Sequence, residues 1–526
     1  MNAASPFILL FAHLSAIALH ELVLRRVEVD HLTLSGIFIF TAVFYLTTQT
    51  VGIYDSTVFW GTFWGTLSIW ILVYRAFWHP LRRFPGPFAA RLSKWWATKQ
   101  TWGSGFHFHQ VEQKLQGKYG DYVRTGPREL SITDPAAIQP LLGFASKVTK
   151  GPFYDALEKT LHMNRDKPFH KQRRRIWDNA MKESMSDFAP RVEEFTDQLL
   201  NRLRQDDGRP VSLMQYCNYY SYDVMSFLAF GKPMGFIRGE QSENATSIVK
   251  AMSDGLGAMS LMSHVPWLMN ALGIFMSIAG PMKQWKVWSV RTMKERLALQ
   301  NPKPDFAGRL IAKTPETPEG LEVLYGESRL IITAGSETTS TALTLAFMQL
   351  ATHPEYLRAI REEYRSNEAT YHCERSLPLL DAVIHESMRL IPSIFLASQR
   401  VTPPGGLQVG SVYIPGNMIV QMSSFAMYRD PRNFVQPDEF IPERWTTRPE
   451  LMLNKNVFNP FSMGPYNCVG RPLAYMELRS VIARVVNEFD VCVPDDFVAE
   501  RYWERVTSRL TAVPPEQMVR FVKSEI

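Results

Sequence analysis

The sequence has few cysteines, little excess charge and no internal repeat. It contains only four cysteines in 526 residues, and no two of them have the spacing of a metal-binding pair. Four are too few for a disulfide framework, so a reducing compartment is the simplest inference for the soluble part. The formal net charge of +6 does not indicate nucleic-acid binding, although a local basic face would still suit an acidic partner. With 46% hydrophobic residues, the chain has ample material for a large core.

Charge is also absent from two long stretches near the N-terminus. Leu32 to Tyr54 and Thr57 to Tyr74 carry no charged side chain, and each is close to the ~20 residues that span a bilayer as a helix. Pro6 to Val23 is a weaker candidate, because two histidines and Glu21 interrupt it. A cleaved signal peptide is the alternative for this first segment, and buried soluble helices are the alternative for the other two. We predict a membrane anchor over residues 1–78 with up to three transmembrane segments.

Basic residues follow the first and the third of these segments. Arg25 and Arg26 come after the first, and Arg75 begins a basic cluster after the third. The positive-inside rule places both clusters in the cytosol. Three spans satisfy that arrangement, with Asp55 in a short lumenal turn.

A proline-rich segment separates the anchor from the rest of the chain. His79 to Pro87 contains three prolines and a glycine, which cannot continue a helix, so we expect a stiff, extended hinge. We predict that residues 88–526 form one mainly helical domain with a small β region. Tyr122 to Arg124 and Leu130 to Ile132 flank a Gly-Pro pair and predict a short hairpin.

Cys468 lies in a stretch that favours a tight loop. The segment Phe461 to Gly470 reads FSMGPYNCVG, and a helical pattern begins directly after it. Free backbone N–H groups at the start of a helix favour a thiolate over a thiol. Gly464 and Gly470 permit backbone angles and close approaches that a side chain would block. Such a loop suits a sulfur anion presented to a large flat group such as an iron porphyrin; the alternative is a buried structural cysteine.

The pattern Phe-x-x-Gly-x-x-x-Cys-x-Gly before a helix resembles the haem-binding loop of the cytochrome P450 family, the haem-thiolate monooxygenases. The resemblance runs from the proline-rich segment almost to the C-terminus. It implies that Cys468 is the metal ligand of haem b and that Phe461, Gly464 and Tyr466 belong to the haem-binding loop. The family usually has an arginine where this chain has Tyr466, so a phenol that donates one hydrogen bond replaces a cation.

Three hydroxyl residues, Ser336, Thr338 and Thr339, surround the carboxylate of Glu337 within a largely apolar helix at residues 330–350. Polar side chains in such a helix are costly without a purpose, and the small Ala334 and Gly335 leave room beside it. The segment resembles the family's Ala-Gly-x-Glu/Asp-Thr-Thr element over the distal face of the haem. The resemblance implies that Glu337 and Thr338 are the acid and the alcohol that relay protons. The alternative is a kinked helix whose hydroxyls are satisfied internally.

A helix over Asp166 to Met181 places His170, Arg174 and Trp177 on one face. It resembles the family helix whose His and Arg hold the haem propionates, and Arg400 matches a further propionate-binding arginine. The same helix helps to form the basic proximal surface that meets the reductase. The alternative is a solvated basic helix.

Two further motifs follow in the family's order. Glu386 and Arg389 at i, i+3 resemble the family's Glu-x-x-Arg element, and Arg444 is its expected partner in a buried network. Loss of one member would leave a buried charge unpaired, at a cost of ~3–5 kcal/mol. In the family, the stretch that matches Pro392 to Ala397 lines the substrate pocket. The Met-rich region Gly255 to Pro281 matches the part that lies over the substrate entrance and touches the membrane.

The resemblance implies the cytochrome P450 fold, a mainly α-helical bundle with a small β region around a buried haem, carried on an N-terminal transmembrane anchor. It implies a haem-dependent monooxygenase of a lipophilic small molecule at the endoplasmic reticulum membrane, with its catalytic domain in the cytosol. Electrons would come from NADPH through NADPH–cytochrome P450 reductase. The chain looks most like fungal microsomal members that tailor terpenoids, indole alkaloids or polyketides. The alternatives are a haem-thiolate isomerase or dehydratase without a reductase, and a non-catalytic haem-binding membrane module.

Overall fold

The computed structural model describes residues 5–156, 158–242, 244–278, 281–299, 305–396 and 399–525, without the side chains of 274–278 and 281. The predicted pocket residue Ala397 and part of the Met-rich region therefore lie outside the described residues.

Helices dominate the described ranges. In chain order they are α1 (Pro6–Leu19), α2 (Thr33–Val51), α3 (Ile53–Val73), α4 (Phe88–Leu92), α5 (Trp95–Gly103), α6 (Phe108–Tyr119), α7 (Ile138–Leu142), α8 (Lys167–Asp206), α9 (Leu213–Phe230), α10 (Ala245–Met262), α11 (Pro266–Ile278), α12 (Pro281–Leu297), α13 (Phe306–Ala312), α14 (Pro318–Thr352), α15 (Pro354–Asn367), α16 (Pro378–Leu390), α17 (Ser424–Tyr428), α18 (Arg471–Glu488) and α19 (Ala499–Glu504). The strands are β1 (Tyr122–Gly126), β2 (Glu129–Ile132), β3 (Thr149–Lys150), β4 (Val211–Ser212), β5 (Arg400–Val401), β6 (Leu407–Val409), β7 (Val412–Ile414), β8 (Ile419–Met422), β9 (Phe489–Cys492), β10 (Thr507–Arg509), β11 (Thr511–Val513) and β12 (Met518–Lys523). This confirms the predicted mainly helical fold.

Three N-terminal helical segments are long and apolar enough to cross a membrane: Pro6–Leu24, Asp30–Val51 and Ile53–Trp78. Gly52, with φ of 85°, separates the second segment from the third. The prediction of Asp55 in the turn is wrong, since Asp55 lies in the first turn of α3. A carboxylate is favourable there because the N-terminus of a helix carries partial positive charge.

The predicted extended hinge folds against the domain instead. Pro80–Arg83 forms a 3₁₀ turn, and the Leu81 N–H donates to His79 Nδ1 at 3.1 Å. Leu81 and Phe84 are buried in a core cluster that also contains Leu130. The prediction of an extended segment is wrong here because burial of the apolar side chains of Leu81 and Phe84 stabilises the folded segment against the domain.

A five-stranded sheet in the order β1-β2-β8-β5-β3 borders the helices. The predicted hairpin is confirmed, since β1 and β2 pair antiparallel with Tyr122 opposite Ile132. At the other edge β3 pairs antiparallel with β5, which sets Lys150 opposite Arg400. The remaining strands form the sheets β4-β12-β9, β6-β7 and β10-β11.

The long helix α14 forms the centre of the domain and packs against α9, α16 and α18. Thr317 caps its start by accepting a hydrogen bond from the Gly320 N–H, and Pro318 occupies the first helical position. Its C-terminal half is almost wholly buried, with Leu343 and Leu350 at 0% exposure. The helix is thereby fixed opposite α18, which begins three residues after Cys468.

The predicted buried network around Glu386 is confirmed. The Glu386 carboxylate accepts hydrogen bonds from Arg389 and from Arg444, each at 2.9 Å. The Trp445 indole N–H at 2.9 Å and the Ile441 N–H at 3.0 Å also donate to it. All three charged side chains have 0% exposure. These hydrogen bonds compensate the buried charge of Glu386. They also attach the segment around Arg444, which precedes the Cys468 loop, to α16.

Candidate active site

The loop before α18 presents Cys468. The Cys468 N–H donates to the Phe461 carbonyl at 2.8 Å, which closes the loop. Gly464 has φ of 68°, and a Cβ on it would lie 2.1 Å from the Leu142 carbonyl oxygen. Glycine is therefore required at 464, as predicted.

For Gly470 the predicted special backbone angle is wrong, whereas the predicted close approach to a haem stays a prediction. Gly470 has φ of −80°, which any residue adopts. A Cβ there would meet only Cys468 Sγ, at 3.8 Å, which is an ordinary contact. The surrounding protein therefore does not itself demand glycine at this position.

Cys468 keeps solvent-accessible surface although protein atoms surround most of it. Burial in the protein raises the pKa of the thiol, while the N–H groups of Gly470 and Arg471 and the charge of Arg174 lower it. The N–H donors thus lie at the start of α18, as predicted. Their lowering effect on the pKa of Cys468 is smaller than the raising effect of burial. A thiol that coordinates a metal ion is deprotonated outright, so metal ligation is the environment in which Cys468 becomes a thiolate.

Phe461 holds one side of the loop. Its ring centroid lies 5.2 Å from that of Tyr475 on α18, and the Arg471 guanidinium lies 5.9 Å from the Phe461 centroid. These contacts attach the start of the loop to the helix that follows it.

Tyr466 lies at the centre of a basic cluster. The ring centroids of Tyr466 and His170 are 4.6 Å apart. The Arg400 guanidinium lies 4.9 Å and the Lys150 ammonium 5.0 Å from the Tyr466 centroid. The structure therefore brings together His170, Arg400 and Tyr466, three predicted haem-binding residues that lie far apart in the sequence. In place of an arginine, the chain has an aromatic face against which two cations pack.

Lys150 is the member of this cluster that sequence reasoning missed. It belongs to no motif, and only the pairing of β3 with β5 sets it beside Arg400. Its ammonium donates to the carbonyls of Leu161 at 3.3 Å and of His162 at 2.5 Å. Burial and the neighbouring charge of Arg400 lower the pKa of Lys150 to about 7.

His170 is neutral at physiological pH. Burial, followed by the charges of Lys150, Arg174 and Arg400, lowers its pKa to about 4. A neutral imidazole donates a single N–H, so His170 offers a hydrogen bond and not a charge.

Arg174 points to the cysteine loop. Its guanidinium donates to the Asn467 carbonyl at 2.7 Å and to the Pro465 carbonyl at 3.5 Å. It also pairs with Asp178 at 2.8 Å. In this arrangement Arg174 ties α8 to the backbone on either side of Tyr466.

Thr338 and Glu337 occupy different sides of α14. Thr338 lines a cavity together with Ala334, and its hydroxyl donates to the Ala334 carbonyl at 2.6 Å. Glu337 does not line this cavity; it accepts a hydrogen bond from Tyr222 of α9. Burial raises the pKa of Glu337, and the Tyr222 bond acts in the opposite direction. Gly335 leaves room for Met225 of α9, since a Cβ would lie 2.1 Å from its sulfur.

The cavity beside Thr338 has a volume of about 640 Å³. Its wall is mostly apolar and includes Phe108, Met252 and Leu256. Ile394 and Leu396 also line it, which confirms that part of the predicted pocket segment. A mostly apolar wall with a few polar groups is typical of small-molecule sites.

These residues fit an iron porphyrin. An accessible cysteine lies in a closed loop, and the long helix with Ala334 and Thr338 borders a cavity of molecular size whose described lining does not include Cys468. The cations of Lys150 and Arg400 lie together at Tyr466, where they suit the two carboxylates of haem. The donor set would thus combine a soft sulfur ligand for iron with a separate anion-binding group.

The cytochrome P450 family profile matches residues 89–511, which are most of the chain. This chain belongs to the cytochrome P450 family. The family confirms the predicted fold and the predicted haem cofactor, with electrons from NAD(P)H through a redox partner.

Curated relatives of this cytochrome P450 are fungal. Cytochrome P450 monooxygenase orf5 of Eupenicillium brefeldianum is 34% identical over 472 residues, covering 87% of this chain and 94% of that protein. Cytochrome P450 monooxygenase phqL of Penicillium fellutanum is 32% identical over 526 residues, covering 94% and 91%. Tryprostatin B 6-hydroxylase of Neosartorya fischeri is 34% identical over 440 residues, covering 81% and 79%. The predicted haem-dependent monooxygenase of lipophilic fungal metabolites is confirmed, and neither alternative function finds support.

Proposed function

We propose that this cytochrome P450 hydroxylates an indole alkaloid in the cavity beside Thr338. The cavity carries the proposal, because its mostly apolar wall suits a fused aromatic molecule. The similarity to two tryprostatin B 6-hydroxylases supports the same class. Terpenoids and polyketides are the competing classes.

Cys468 is the residue that would hold the haem iron. The chemistry that bound haem supplies is activation of dioxygen and transfer of one oxygen atom to the substrate. Cys468→Ser should abolish the red-shifted carbon-monoxide spectrum of the reduced protein, which is typical of thiolate ligation. A surviving red-shifted spectrum would refute the assignment.

Lys150, His170, Arg400 and Tyr466 form the proposed propionate site. Lys150 and Arg400 supply positive charge, and His170 and Tyr466 each supply one hydrogen-bond donor. Arg174, which the sequence also predicted to bind a propionate, instead donates to the Asn467 carbonyl and keeps the cysteine loop in place.

Thr338 is the proposed hydroxyl of the proton relay, and Glu337 is the proposed acid behind it. Thr338 lines the cavity, whereas Glu337 lies on the adjacent side of α14 with Tyr222. A proton passed from Glu337 to Thr338 would need a side-chain rotation or bridging water.

The proposed partner is NADPH–cytochrome P450 reductase, and the proposed location is the endoplasmic reticulum membrane with residues 88–526 in the cytosol. Residues 1–78 serve as the anchor and 79–87 as the connection to the domain. Arg25 and Arg75 support this orientation. Arg25 follows the first apolar helix and Arg75 lies near the C-terminal end of the third, after which the domain begins, and the positive-inside rule places such basic residues in the cytosol.

A substrate panel tests the proposal. The full chain and the reductase in yeast microsomes receive indole alkaloid, terpenoid and polyketide intermediates, and mass spectrometry detects products that have gained one oxygen atom. We expect NADPH-dependent products from the indole set alone. Turnover restricted to another set would contradict the substrate class, and turnover without NADPH would contradict the monooxygenase cycle.

A further inference from the structure

The connector between the first and second apolar helices binds the catalytic domain. Glu28 in this connector pairs with Arg128 at 3.0 Å and also with Arg165. Asp30 pairs with Arg128 at 3.4 Å. Two acids of the anchor thus meet two arginines that lie 98 or more positions further along the chain.

A second element holds the connector from another side. The Asn270 amide of α11 donates to the Asp30 backbone carbonyl at 2.9 Å. α11 also packs against α2 and against the 3₁₀ turn Asp30–Leu32. The connector is therefore fixed by side chains from three separate parts of the domain.

Arg165 carries this contact to the haem-binding region. Its Nε donates to the Lys150 carbonyl at 2.9 Å, and one Nη contacts both Glu28 and Asp155. Lys150 forms β3, the edge strand opposite Arg400. Because Lys150 and Arg400 both pack on Tyr466, a single arginine joins the anchor to the basic cluster.

The charges favour this arrangement. Burial acts to raise the pKa of Glu28, but the hydrogen bond from Arg165 and the charge of Arg128 outweigh it and lower the pKa. Glu28 is therefore ionised at neutral pH. Its side chain is only 19% exposed and that of Arg165 23%, so solvent and salt screen the pair less than a surface pair.

We propose that Glu28 and Asp30 form an anchor clamp on Arg128 and Arg165, and that Glu28 positions β3 through Arg165 and so helps to retain haem. β3 has only two residues and one neighbouring strand, so the sheet alone fixes its position weakly. The clamp adds contacts that stabilise the position of β3. The effect on haem rests on the proposed propionate role of Lys150. Glu28 and Arg165 are positioning residues, since neither belongs to the Tyr466 cluster.

The test uses the full-length holoprotein in lipid nanodiscs. Glu28→Gln should speed amide hydrogen exchange in peptides that cover residues 149–155, by about threefold or more. It should also speed haem transfer to an excess of an acceptor apoprotein by a similar factor. Glu28→Asp should restore most of both properties. The matched control is Asp55→Asn, which removes an anchor charge at the opposite end of the helices and should change neither.

A double-mutant comparison tests whether Glu28 acts on β3 through Arg165. In an Arg165→Gln background, Glu28→Gln should add little to either rate, because the two residues act as one unit. If Arg165→Gln yields no holoprotein, Arg165→Lys serves, since a lysine lacks the separate Nε and Nη donors with which Arg165 reaches the Lys150 carbonyl and Glu28. Equal effects in both backgrounds, or unchanged exchange at residues 149–155, would overturn the proposal.

Lys150→Met separates this proposal from the propionate assignment. If Lys150→Met retains haem like the parent, the propionate role fails, while hydrogen exchange still decides whether the clamp exists. If Lys150→Met loses haem quickly but Glu28→Gln retains it despite faster exchange, the clamp does not reach the haem and the proposal is wrong.

Discussion

Tyr222 donates a hydrogen bond to Glu337 and thereby joins α9 to the polar turn of α14, residues 336–339. Tyr222 is 1% exposed, and its contact explains why the carboxylate lies away from the cavity that Thr338 lines. The acid and the alcohol of the motif are adjacent in sequence but have separate surroundings.

Tyr222→Phe should therefore lower the yield of product per NADPH consumed while preserving the carbon-monoxide spectrum. The lost hydrogen bond contributes about 0.5–1.5 kcal/mol, so we expect the yield to fall several-fold. The measurement is product and NADPH consumption with reductase in excess. Glu337→Gln is the companion variant, and Tyr222→Phe should have little further effect in its background. A normal yield in Tyr222→Phe would mean that the phenol only packs.

Thr338→Ala should keep haem and the thiolate spectrum but release more peroxide per product. The reason is that ordered proton delivery near the cavity needs the hydroxyl, and such help is typically worth ~10²–10⁴ in rate. Peroxide and product are measured in the same incubation. Thr352→Ala at the far end of α14 is the control, because Thr352 bonds only to helix carbonyls and His353 among the described residues. Equal peroxide release in parent and Thr338→Ala would identify Thr338 as a packing residue.

Arg444→Met should destabilise the domain by ~3–5 kcal/mol, because Glu386 loses a buried charged partner. Urea unfolding followed by haem absorbance measures the effect. Arg448→Met is the control: its pair with Glu450, at 3.8 Å, has exposed side chains, so its loss should cost ~1 kcal/mol or less. Similar losses for the two variants would contradict the structural role of the network.

Stability should fall as the pH drops from 6.5 towards about 3, in part because of His264. Burial lowers the pKa of His264 to about 3, and its ring bonds to the Thr101 hydroxyl at 3.0 Å. In this pH window the unfolded chain binds a proton that the folded chain does not, so the free energy of unfolding decreases as the pH falls. Above pH 6.5 this contribution does not vary. His264→Gln should unfold with a shallower acid dependence than the parent, and an identical slope would contradict a neutral His264.

The sequence by itself determined the features that depend on local pattern. Uncharged runs of spanning length, the loop before α18 and the polar turn of α14 each follow from a few neighbouring residues, so they could be recognised along the chain. Glu386, Arg389 and Arg444 were also found, because buried charges require partners and the family's order named them.

The tertiary structure alone decided which distant groups meet. Lys150 has no motif, yet pairing of β3 with β5 brings it to Tyr466. Tyr222 reaches Glu337 only because α9 packs on α14. The predicted hinge folds because Leu81 and Phe84 find an apolar core that the local proline pattern does not reveal. Contacts of this kind depend on long-range packing, whereas sequence periodicity reports only the faces that are available for it.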